Sequence, residues 1–115
     1  MRPDYITEEQ YSAWTKQVEN DPLIPEAFKT TPNLKDICIS SYWLASELDA
    51  LKCPANIKVR IAFSHGQLSF QSDPWKSAQT LLKEYVDGTL VFDDDDLDKL
   101  NLLGKSHTTD KSLLN

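Results

Sequence analysis

Prolines partition this chain more firmly than any other feature in it, standing at positions 3, 22, 25, 32, 54 and 74. A proline has a fixed φ and no backbone N–H, and it biases the residue before it away from helical geometry. Regular elements therefore start at or stop short of these positions, and no interval between two prolines has room for more than one helix or one hairpin.

The first interval reads as a helix. Thr7-Glu8-Glu9-Gln10 has the form of a capping box, with Ile6 and Tyr11 at the two flanking staple positions. Tyr11, Trp14 and Val18 follow at steps of three and four, and Asn20-Asp21-Pro22 ends the run. Residues 22–30 read as an irregular connector with at most one helical turn. Thr31-Pro32 then opens the longest helix, with Thr at the cap and Pro at the first helical position. Leu34, Ile37, Cys38, Ser41, Leu44, Ala45 and Leu48 form one face of it, and Ile39, Trp43 and Ala50 a second, partial one. A helix apolar on two sides is expected at the centre of the fold, here ending near Leu51.

The next interval carries a different period. Ile57, Val59, Ile61 and Phe63 fall at every second position, and Leu68 and Phe70 resume the alternation after Ser64-His65-Gly66-Gln67. That pattern predicts a β-hairpin over 57–71 with His65-Gly66 at its turn. Asp73-Pro74 starts a further helix whose inward face is Trp75, Ala78, Leu82, Tyr85 and Val86, closed by Gly88. Thr89-Leu90-Val91-Phe92 reads as a third strand, and Leu97, Leu100 and Leu103 as a short helix ended by Gly104. The expected architecture is α+β: a small antiparallel three-stranded sheet packed on three to four helices. The alternative is an all-α bundle in which 54–68 is a helix starting at Pro54. Either way, 115 residues suffice for one domain, taken as 1–104, with 105–115 as a frayed tail.

Charge and composition narrow the function classes. Eighteen acids against twelve bases give −6, which disfavours nucleic acid as a partner because phosphate contacts need clustered Lys and Arg. A hydrophobic share of 40% is that of a folded domain rather than a disordered chain. No apolar run reaches the length of a membrane span, and Met1-Arg2-Pro3-Asp4-Tyr5 does not open a secretory signal. With only Cys38 and Cys53 as thiols, a disulfide framework is not expected. A cytoplasmic chain with both thiols reduced is expected.

Candidate chemistry is sparse. His65 beside Ser64 or Ser69, or paired with Cys53, lacks any motif that would make it a general base, so no catalytic residue is assigned. Cys38, Cys53, His65 and His107 are separated by 14, 11 and 41 residues, without the close pair that starts a zinc site. As a calcium loop beginning at Asp94, the run 93–98 places Lys99 where Gly is needed and Lys105 where Glu is needed. Neither a metal nor a cofactor is expected.

The acids themselves are the distinctive feature. Glu84, Asp87, Asp93, Asp94, Asp95, Asp96 and Asp98 lie in one stretch with no base among them, leaving the other hundred residues at +1. Aspartates at the start of a helix meet the positive end of its dipole, which accounts for two or three of them and not for seven. The expectation is a non-catalytic acidic binding protein, an inhibitor of the immunity or antitoxin kind, aimed at a basic protein such as a nuclease toxin. Trp75, Tyr85 and Phe92 are its candidate aromatic anchors, provided that they are exposed. The competing reading is a structural or adaptor domain, dimeric through the strand at 89–92 or the first helix. A small enzyme using His65 or Cys53 comes last.

Overall fold

The computed structural model describes residues 2–92 and shows five helices: α1 Glu8–Asn20, α2 Glu26–Thr30, α3 Pro32–Ala50, α4 Ala55–Ser69 and α5 Pro74–Asp87. No strand occurs among the described residues. The three-stranded sheet is thereby overturned, and the all-helical alternative is the architecture observed. The anticipated helix at 97–103 and the tail at 105–115 lie outside the described residues.

α1 starts on the capping box. The Gln10 backbone N–H donates to Thr7 Oγ1 at 3.1 Å, and the Thr7 N–H donates to Gln10 Oε1 at 3.2 Å. Ile6 and Val18 are fully buried, with Tyr11 and Trp14 half-buried beside the core. The connector holds a single short helix, α2. α3 begins at Pro32 with Thr31 as its cap residue, although the Thr31 side chain makes no capping hydrogen bond. Ile37, Leu44 and Leu48 are buried on one face of α3 and Ile39 and Trp43 on the other. It packs against all four other helices, as an element apolar on two sides should.

α4 replaces the hairpin. Ile57, Ile61, His65 and Ser69 recur at steps of four, which aligns them on one side of a helix. Ile61 and His65 are fully buried and Ser69 nearly so, whereas Val59, a member of the apparent alternation, is 56% exposed. The two-residue period was thus produced by Val59 and Phe63 falling between the inward positions. Gly66 takes no positive φ, so it turns nothing. An isolated two-stranded ribbon is marginal in water, whereas this helix buries its inner face against α3 and α5.

α5 is capped by Asp73, whose carboxylate accepts the Trp75 N–H at 2.9 Å. Trp75, Ala78 and Leu81 are buried; Leu81 was not among the inward residues expected from the sequence, and Val86, which was, is 60% exposed. Gly88, at φ 74°, closes the helix: Gly88 N–H donates to the Tyr85 carbonyl and Thr89 N–H to the Glu84 carbonyl at 2.9 Å. Thr89–Phe92 then runs on as unpaired chain rather than a third strand, laying Leu90 and Phe92 against the core.

Candidate partner-binding site

His65 is where catalytic chemistry would be sought first. Its position on α4, one turn beyond Ile61, carries the ring inward to meet α3 and the start of α5. Nε2 lies 3.1 Å from the Pro74 carbonyl oxygen and 3.0 Å from Ser40 Oγ, and Nδ1 lies 3.1 Å from Ser41 Oγ. A carbonyl can only accept, so Nε2 carries a proton, while the single hydroxyl proton of Ser41 is contested between Nδ1 and the Ile37 carbonyl, 2.8 Å from Ser41 Oγ. Ser40 in turn donates to the Ile37 carbonyl at 3.0 Å. Burial lowers the His65 pKa from 6.5, with the hydrogen bond to Pro74 opposing that effect, so the neutral ring is the stable form at neutral pH. The cavity that touches the ring has about 20 Å³, room for one water and no substrate. His65 is therefore neither a turn residue nor a base facing a cleft; it is a polar core residue joining three helices.

The other chemical candidates are similarly absorbed. Cys53 is buried and its thiol donates to the Pro54 carbonyl at 3.6 Å. Cys38 is half-buried, and burial together with the negative charge of Asp21 raises its pKa, leaving a protonated thiol rather than a nucleophile. Among the described residues, no group of three His, Cys, Asp or Glu side chains could hold a metal ion. No described helix is long and apolar enough to cross a membrane.

The chain matches no known protein-family model, no curated protein and no solved structure. Its own surface therefore carries the functional reading.

Of the seven acids, the structure describes Glu84 and Asp87; Asp93, Asp94, Asp95, Asp96 and Asp98 lie outside the described residues. Asp87 is met by Lys83, whose Nζ donates to Asp87 Oδ2 at 2.6 Å, one turn away on the exposed side of α5. The acidic stretch contains no base of its own, but Lys83 and Lys99 flank it in the sequence.

The aromatic anchors divide. Trp75 is only 6% exposed, locked between helices, and fails the condition of exposure on which its role rested. Its ring stands edge-on to Tyr5 at 6.0 Å, and its indole N–H has no acceptor among the described residues. Tyr85 and Phe92 are half-buried and packed on the core, with the Arg60 guanidinium 5.5 Å from the Phe92 ring centre. Both are thus only partly available to a partner.

Two aromatic residues that the sequence reading did not select line a surface groove of about 560 Å³ between α3 and α5. They are Tyr5 and Trp43, joined there by Leu82 and the exposed Val86, with Glu47, Lys83 and Asp87 as charged members. The rings of Tyr5 and Trp43 sit 4.7 Å apart, and Tyr5 Oη donates to the Trp75 carbonyl at 3.1 Å. Burial, and then the charge of Asp73, push the Tyr5 pKa well above 10.0, so it remains a neutral donor. Trp43 was legible as part of the second face of α3; Tyr5, in a turn before the first helix, carried no periodic signal.

Proposed function

We propose that this chain is a non-catalytic binding protein whose acidic stretch, Glu84 to Asp98, engages a basic protein, in the manner of an immunity or antitoxin-type inhibitor. The observation that carries this reading is the accumulation of seven acids without a base in that stretch. Localised negative potential accelerates encounter with a cationic surface and can occlude a basic nucleic-acid groove. The occupation of both His65 nitrogens within the core favours binding over chemistry at that residue. The adaptor alternative loses one support, since residues 89–92 form no strand that a second copy could extend.

The test is capture of a basic protein, compared between the native chain and a variant with Asp93, Asp94, Asp95 and Asp96 all replaced by Asn. The expected result is loss of association in the variant and a steep fall for the native chain at an ionic strength of about 0.5 M, where screening shortens to a few ångströms. A partner held equally by both chains at that salt would exclude the acidic face as the recognition element.

A further inference from the structure

The structure assigns the α3–α5 groove a role of its own: it receives a large apolar side chain from a segment of the basic partner, with flanking Lys or Arg residues meeting Glu47 and Asp87. This rests on the partner reading above and adds what that partner must present besides charge.

Two properties of the groove lead there. Its aromatic wall is already fixed, because Tyr5 and Trp43 pack together at 4.7 Å and the Tyr5 hydroxyl is tethered to the Trp75 carbonyl. An incoming side chain would thus meet a surface that needs no further ordering, and ordering is a principal cost of association. Val86 meanwhile stays 60% exposed beside half-buried Leu82, so apolar area remains that the described fold does not cover.

Charge selects the occupant. Glu47 comes from α3 and Asp87 from α5, so the groove carries a carboxylate from each of the helices that form it. Lys83 is the one cation among its lining residues, and it is engaged with Asp87 across an exposed contact that a partner's cation can replace. Asp87 also belongs to the acidic stretch, so the groove and that stretch share a residue. An apolar side chain between cations fits both halves of this surface; one between carboxylates is repelled by it.

The experiment titrates the full-length protein with three synthetic peptides, Lys-Lys-Leu-Lys-Lys, Lys-Lys-Ser-Lys-Lys and Glu-Glu-Leu-Glu-Glu, following amide and indole NMR resonances. The leucine peptide with lysines is expected to shift Trp43, Leu82 and Val86 and to bind about tenfold tighter than the serine peptide. The glutamate peptide should not bind. Val86→Ser should erase the leucine preference and Glu47→Gln should weaken both lysine peptides alike, each at a position that reaches solvent and each leaving the helical circular dichroism unchanged.

If the two lysine peptides bind alike and shift only Asp93–Asp98, the groove proposal falls and the acidic-face reading stands. If neither lysine peptide binds, both fall. Contacts in the free protein between Trp43 or Val86 and residues 97–103 would show the groove filled by this chain itself, and concentration-dependent shifts without peptide would show it filled by a second copy. Either result overturns the proposal.

Discussion

The central helix α3 is joined to its neighbours by two seams of opposite character. Toward α5 the joint is aromatic and aliphatic, with Trp43 on one side and Trp75, Ala78 and Leu81 on the other, completed by Tyr5. Toward α4 it is built around His65, with Ser40 and Ser41 supplying hydroxyls and Pro74 a carbonyl. In the polar seam both ring nitrogens of His65 have a polar atom within hydrogen-bond distance, whereas the apolar seam contains the unpartnered indole N–H of Trp75 among the described residues. Hydrophobic burial is non-directional and tolerates such a loss; a buried polar cluster holds only while each donor has its acceptor.

The largest effect expected from disturbing this contrast is at Trp75. Trp75→Ala should destabilise the fold by about 3–5 kcal/mol, since it removes a buried aromatic and leaves a cavity where Tyr5 packs. A domain of this size holds roughly 5–15 kcal/mol in total, so this variant should unfold at a much lower urea concentration. Trp75→Phe should cost distinctly less, because the N–H that it deletes has no acceptor among the described residues. Equal losses in the two variants would mean that the indole nitrogen is bonded and that the seams differ less than described.

On the polar side, His65→Leu should cost about 1–3 kcal/mol, from the joint loss of the ring's hydrogen bonds to the Pro74 carbonyl and the Ser40 hydroxyl, although the leucine is comparably bulky and more apolar. The same residue gives this seam a pH dependence on the acid side, where Tyr5 of the apolar seam does not titrate. Its pKa is lowered in the folded state, so the unfolded chain takes up the proton first as pH falls. Stability contributed by the neutral ring is complete above about 6.5 and declines below it, by at most about 1.4 kcal/mol per pH unit, until the folded-state value is passed. Urea midpoints measured for the native chain and His65→Leu between neutral and mildly acidic pH should therefore converge on acidification. Parallel curves would indicate a ring already charged, or one that titrates alike in both states.

The two seams were also unequally legible. Trp75, Ala78 and Leu82 stand at helical spacing behind an Asp-Pro start and ahead of Gly88, so apolar period and end signals agree on α5. The helix facing His65 gave no such agreement. Its inward positions are Ile57, Ile61, His65 and Ser69, and two of those four do not register as hydrophobic. The residues that do, Val59 and Phe63 with Ile57 and Ile61, spell out a strand. The burial of His65 depends on Ser40 and Ser41, some 25 positions away in the chain, which no local pattern contains. Cys53-Pro54 marked the end of α3 near Leu51, but not the way the helix closes. Lys52 adopts φ 58°, and Cys53 N–H reaches back to the Leu48 carbonyl at 3.0 Å, completing the kind of helix closure for which Gly is the usual marker. The groove escaped notice because Tyr5 precedes the first helix and meets Trp43 only in the tertiary fold.

The smallest predicted effect has the opposite sign and separates the two readings of residues 57–71 most cleanly. Gly66 lies inside α4 with negative φ, and a Cβ added there would meet no heavy atom within 4 Å. Alanine at this position loses less backbone entropy on folding and adds no clash, so Gly66→Ala should stabilise the protein by about 0.5–1 kcal/mol. In a hairpin with His65-Gly66 at its centre, the same change would place a side chain on a residue that requires positive φ and would be destabilising. The urea midpoint of this single variant thus tests the helix that carries His65 into the core, and with it the polar seam on that side of α3. A fall in that midpoint would restore the turn.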